Sequence, residues 1–268
     1  MTTHNPADPD TTEPAAARDA IADAAAAAAR AGVDVAEIDD VEHLEAIAEL
    51  LRKVWGADSP DQILNLPTLR ALAHSGSYVV GAYRAGELVA ATVAFLGRDH
   101  LHSHVTGVAP GGQGRGVGYL LKLHQRAWAL RRAIPRVCWT FDPLVRRNAY
   151  FNLQKLGAQA TEYLVDFYGP LTDGINVGDP SDRLYASWEL TGRRAVAAAR
   201  GTLAAPEQGA GVRLVATPPD IEALRLADPE EAKRWRYALR ESLAGPLAEG
   251  WTIAGVTREG SYALEAAA

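Results

Sequence analysis

The sequence predicts an α/β (α+β) fold in which helices flank a central sheet. Strand-like runs with alternating apolar residues and runs with helical spacing follow one another through residues 33–190. A turn signal at Arg84-Ala85-Gly86 joins two of the strand-like runs into a hairpin. A glycine-rich loop then leads from a third strand into a long amphipathic helix. With 48% apolar and 22% charged residues the chain is close to the globular average, so a packed core is affordable and a fibrous repeat is not indicated.

Each element has a local reason. Residues 1–14 hold Pro, Asp, Thr and Glu with almost no large apolar side chain, which predicts a loose tail. Residues 15–32 are dominated by alanine, a strong helix former that offers little area to bury, so a weakly anchored helix is expected. The body, residues 33–190, opens with a half-buried strand over 33–38. Asp40 is placed to cap a helix on which Leu44, Ile47, Leu50, Leu51 and Val54 recur, and a shorter helix follows over 67–74. Strands are predicted over 77–83, 87–96 and 101–108, then the loop and a helix over 117–133. A buried strand over 137–141, a helix near 148–156 and strands near 160–168 and 183–190 complete the body. Residues 191–268 read as an extension packed on it, with a strand over 212–216, a helix over 229–247 and strands over 251–256 and 261–264.

Composition narrows the function classes. Lys and Arg number 27 against 33 Asp and Glu, a net charge of -6, so no broad cationic field exists for nucleic acid. Cys138 is the single cysteine, which rules out an intramolecular disulfide and a thiolate metal cluster and fits a reducing cytoplasm. Neither an export signal nor a membrane-spanning run is expected.

The chemistry starts at Gln113-Gly114-Arg115-Gly116-Val117-Gly118. A glycine-rich turn between a strand and a helix start aims several N–H groups at one place with the positive end of the helix dipole behind them, a geometry that binds phosphate oxygens. Arg115 adds a charge. The glycines fall at alternate positions, which breaks the dinucleotide spacing, and the loop runs into Tyr119-Leu120-Leu121 where a triphosphate loop needs Lys and Ser or Thr.

The whole stretch from Val108 to Leu121, with Pro110 ahead of the loop, resembles the acyl-CoA signature of the GNAT acyltransferase superfamily. The resemblance spans residues 33–190. It implies a mixed central sheet splayed between its middle strands, with Gln113, Gly114, Arg115, Gly116, Val117 and Gly118 on the coenzyme A diphosphate and the strand near Val108 along the pantetheine arm. Residues 148–157 look like the family's later helix, which places Asn148 near that arm. Where the family often has a tyrosine that protonates the leaving thiolate, this chain has Leu153, and Tyr150 one turn earlier is the substitute candidate. Residues 139–144 and 173–184 also resemble a bacterial subgroup with a C-terminal extension, some of whose members neighbour N-acylamino-acid racemases.

His100, His102 and His104 alternate on the strand before the loop, so a period of two sets them on one face. A histidine titrating near neutrality suits the deprotonation of an amine nucleophile, and His102 and His104 are the candidates. Two other readings stay open: inert polar residues on an open sheet face, or zinc ligands with Asp99 or Asp142, although no metal is expected. Asp142, at the end of a strand, is a further candidate for orienting a histidine or binding a substrate ammonium, the other reading being a cap or turn residue before Pro143.

Together these readings predict transfer of an acetyl, succinyl or similar acyl group from an acyl-CoA to the amine of a small molecule, an amino acid among the candidates. O-acyl transfer, thioester cleavage and a non-catalytic acyl-CoA-binding module are the alternatives, and a homodimer is the expected assembly if there is one.

Overall fold

The computed structural model describes residues 14–169, 179–209 and 211–266. Apart from Pro14, the predicted loose tail lies outside the described residues, as does the first half of the 173–184 segment. Helix α1 (Ala15–Ala31) leads to strand β1 (Asp34–Glu37), helices α2 (Val41–Trp55) and α3 (Leu66–His74), and strands β2 (Tyr78–Arg84), β3 (Glu87–Leu96) and β4 (Leu101–Val108). Helix α4 (Val117–Arg131), strand β5 (Arg136–Phe141), helix α5 (Arg146–Tyr150) with a π turn over Phe151–Lys155, and strands β6 (Gln159–Leu164) and β7 (Arg183–Glu189) follow.

These strands form one seven-stranded sheet in the order β1-β2-β3-β4-β5-β7-β6. Every neighbouring pair is antiparallel except β4 with β5, so the sheet is mixed as the resemblance implied. The parallel pair is joined only at Leu101 with Val137 and His102 with Cys138, after which the two strands part. β5 meanwhile stays paired with β7 along its whole length, from Arg136 to Phe141.

Helices α2 and α3 cover β2 to β4 on one face, where Leu44, Ile47, Leu51 and Leu69 meet Val79, Val93 and Val105. Local sequence sets both helix starts: Asp40 accepts from His43 N–H at 3.0 Å, and Asn65 from Thr68 N–H at 2.9 Å. Helix α4 lies on the opposite face and α1 packs over it. The alanine helix turns out to be well seated: Ala17, Ala20, Ala24 and Ala27 form one stripe no more than 6% exposed, because methyl side chains let two helices approach closely. Arg126 of α4 also bonds Asp23 of α1 at 3.2 Å.

The last part adds helices α6 (Arg193–Ala199), α7 (Ile221–Ala227) and α8 (Pro229–Ala248), and strands β8 (Val212–Val215), β9 (Thr252–Val256) and β10 (Tyr262–Glu265). The three strands make a second antiparallel sheet, β8-β10-β9, whose β9 touches β6, while α8 packs beside both β6 and β9. Helices α6 and α7 and the π turn are not foreseen by the sequence reading, and β6 ends four residues sooner than predicted. Gly157, at φ +71, ends the π turn hard against the Arg194 carbonyl, which leaves no room for a Cβ.

Candidate active site

Strand β4 carries the site. Its register against β3 slips between Val93 and Ala94, which pair with Val105 and Ser103, so His104 is the extra residue of a bulge. On the α3 side His102 stacks on Phe95 with ring centroids 4.9 Å apart, and His104 lies 6.4 Å from His102. His100 is corrected in one respect: it precedes β4 in the turn, where its carbonyl accepts from Gly97 N–H and its ring bonds Asp99. Its ring still lies 6.3 Å from that of His102, so the predicted alignment of the three holds.

Burial, with His104 and His100 beside it, pushes His102 down to about 4. His104 is lowered by burial too, although it keeps an exposed edge. Both are therefore neutral at pH 7. His104 opens on a cavity of about 570 Å³ whose walls include Leu64, Thr68, Leu72, Ser75 and Phe95.

At its far end β4 runs through Ala109 and a short 3-10 turn, Pro110–Gly112, into the loop. Gly114 and Gly116 adopt φ of +72 and +78, and nothing lies within 4 Å of where a Cβ would stand on either. Gly116 caps α4, and the helix takes its first bond from Leu120 N–H to Gly116 O at 2.9 Å, which leaves the N–H groups of Val117, Gly118 and Tyr119 pointing out of the helix start. Arg115 is exposed beside them. Gln113 reaches back, its Nε2 donating to Val108 O at 3.4 Å. A second cavity, about 630 Å³, lies between α2 and this loop and is lined by Leu50, Val54, Leu88, Val108 and Gln113.

Between these two parts lies the gap left by β4 and β5. From Ser103 to Val108 the β4 edge that faces β5 has no strand partner, although it lies in the middle of a sheet. Backbone N–H and C=O groups in that position call for a ligand or water. The gap is therefore a slot that starts at His102 and Cys138 and opens toward the loop.

The other predicted residues are placed differently. Asp142 does not meet a histidine or stand ready for an ammonium. Its carboxylate accepts from Arg236 Nη1 and Nη2 at 2.9 and 3.0 Å, from Arg225, and from Leu144 N–H at 2.9 Å. Burial pushes its pKa up, but the Arg236 and Arg225 guanidiniums outweigh this and hold the carboxyl well below its ordinary range. Asp179 bridges the same two arginines at 2.7 and 2.8 Å. Asp142 is thus a buried ionic clasp between the end of β5 and helices α7 and α8. Leu153 is fully buried, Tyr150 is exposed on α5, and Asn148 is exposed two residues before it. Arg146 and Arg147 bond Thr217 and Glu222 of the last part of the chain. Among the described residues no three His, Cys, Asp or Glu side chains gather to hold an ion. No helix of the described residues is long and apolar enough to cross a membrane.

The sequence reading missed Lys122. It is 8% exposed on α4 behind β4, and its polar neighbours one turn on, Gln125 and Arg126, gave no sign of that burial in the sequence.

No family model matches the sequence, and no curated protein matches it. Solved structures do show likeness. The chain is similar to structures of acetyltransferases. One is the ribosomal-protein-S18-alanine N-acetyltransferase from Escherichia coli, at 13% identity and a TM-score of 0.48 over 60% of this chain and 95% of that one. Another is the IAA acetyltransferase from Bacillus cereus, at 16% identity and a TM-score of 0.45 over 59% and 99%. A GNAT family acetyltransferase from Elizabethkingia anophelis with acetyl-CoA bound gives 13% identity and a TM-score of 0.45 over 59% and 98%.

Proposed function

We propose that the chain is an acyl-CoA-dependent N-acyltransferase of the GNAT type that acylates the amine of a small molecule, an amino acid among the candidates. The observation that carries this reading is the slot between β4 and β5, which runs from the histidines to a helix start with three outward N–H groups. An extended arm ending in a diphosphate fits that shape: the N–H groups of Val117, Gly118 and Tyr119 with Arg115 hold the charge, and the free β4 edge bonds the arm.

In this reading His104, neutral at pH 7 and facing its cavity, takes the proton of the acceptor ammonium. The free amine attacks the thioester carbon, a C–N bond forms as the C–S bond breaks, and an amide of the free β4 edge steadies the oxyanion. Tyr150 is the candidate that returns a proton to the thiolate sulfur. His102, stacked on Phe95 and harder to protonate, orients the pair.

Calorimetry with coenzyme A tests the donor half. Gly116→Glu sets a carboxylate against the bound diphosphate at a position with positive φ, and should weaken coenzyme A by at least about tenfold. Unchanged affinity would remove the basis for the donor site. Mass spectrometry of amines and alcohols incubated with several acyl-CoA donors tests the acceptor half: amides support the proposal, esters favour O-acylation, and tight donor binding with no product across the panel favours a binding module.

A further inference from the structure

Lys122 is the feature of the slot that the acetyl-transfer chemistry leaves without a role. Its Nζ donates to Ser103 Oγ at 2.9 Å and to Gln125 Oε1 at 3.3 Å, and stands 3.9 Å from the centroid of the Trp139 ring. The last paired residues of β4 and β5 are His102 and Cys138, so Ser103 and Trp139 are the first residues on either side of the parting strands. Lys122 is thereby fixed at the closed end of the slot, on the α4 side of the sheet.

Two properties of this corner point to a ligand. First, none of the ion pairs among the described residues includes Lys122, so a buried ammonium has no carboxylate to offset it. Burial accordingly lowers its pKa to about 7. Second, Gln125 is 1% exposed and its Nε2 has no hydrogen-bond partner, an uncommon and costly state for a buried amide. Two adjacent donors, one able to carry a positive charge, lack an anionic acceptor in the same corner.

We infer that Lys122 and Gln125 close the acyl pocket and select a donor whose acyl chain ends in a carboxylate, a short dicarboxylic half-thioester. The inference rests on the reading that the slot holds the thioester arm. A terminal carboxylate accepts from Lys122 Nζ and from Gln125 Nε2, replacing the long Lys122–Gln125 contact, while Ser103 and the Trp139 face keep the lysine in place. A straight apolar chain of the same length sets methyl groups against an ammonium and leaves both donors unfilled. Selection therefore comes from charge and hydrogen bonding at the chain end.

The test is equilibrium binding of coenzyme A, butyryl-CoA and succinyl-CoA to the full chain, since butyryl and succinyl have equal carbon backbones and differ at the terminal group. The full chain should bind succinyl-CoA about tenfold or more tightly than butyryl-CoA. Lys122→Met, close in volume and apolar, should abolish or reverse that ratio while coenzyme A itself binds as before, and Gln125→Leu should narrow it. Equal binding of the two thioesters by the unaltered chain, or a preference that survives Lys122→Met, overturns the inference. Failure of coenzyme A to bind at all would instead overturn the donor reading beneath it, so the two failures are told apart.

Discussion

Asp142→Ala is expected to lower the unfolding free energy by about 3–5 kcal/mol, the usual cost of leaving buried guanidiniums without their carboxylate. Arg225 and Arg236 have side chains 8% and 0% exposed, and among the described residues Asp179 would be the one carboxylate left in contact with both. Asp142→Asn should lose most of the same energy, because the amide keeps the shape and the bond to Leu144 N–H but not the charge. The sign with pH follows from the carboxyl being held well below its ordinary value of 3.8: the stabilisation is present above that value and is lost as pH falls from there through the lowered pKa of the folded state. The gap between the parent and Asp142→Ala should therefore be full at pH 7 and shrink in acid. Denaturant titrations at pH 7 and pH 3 measure it, and a loss under about 1 kcal/mol at pH 7 would show that the clasp is not what ties α7 and α8 to β5.

That network explains why Asp142 was misread from the sequence. Its partners stand 83 and 94 residues later, on helices whose charged residues look like solvated faces when read one turn at a time. By contrast, whatever depends on neighbouring residues was legible. The cap at Asp40, the hairpin turn at Arg84-Ala85-Gly86, the span of β4 and the glycines of the loop are each set within a few residues, and each is where the sequence placed it. The alignment of His102 with His104 was legible for the same reason, since alternation is a property of one strand. The bulge that makes His104 an extra residue depends on β3 and was not.

Lys122 falls between these cases. In the sequence it sits on a helix read as amphipathic, where a lysine belongs to the outer face. In the fold α4 has two covered faces, one on the sheet and one beneath α1, and ten of its fifteen residues are buried. The alanine helix that looked too poor in surface to anchor anything is what removes that outer face from solvent.

His104→Ala is expected to lower kcat/KM for amine acylation by about 100- to 10,000-fold, the range supplied by a positioned general base, with coenzyme A affinity within twofold of the parent. The separation follows from the geometry: His104 faces the cavity under α3, whereas the outward N–H groups belong to Val117, Gly118 and Tyr119 at the other end of β4. His102→Ala should cost less, because a ring pushed down to about 4 is a weak base and its contact is a stack on Phe95. Burial lowers the His104 pKa from 6.5, so the ring is in its basic form above its folded pKa and loses that form as pH falls through it. The pH profile of kcat/KM should accordingly show an acid limb below pH 6.5 that His104→Ala removes. Retention of both the rate and the limb in His104→Ala would take the proton from another group, and the neutral ring beside the slot would then serve only to shape the acceptor cavity.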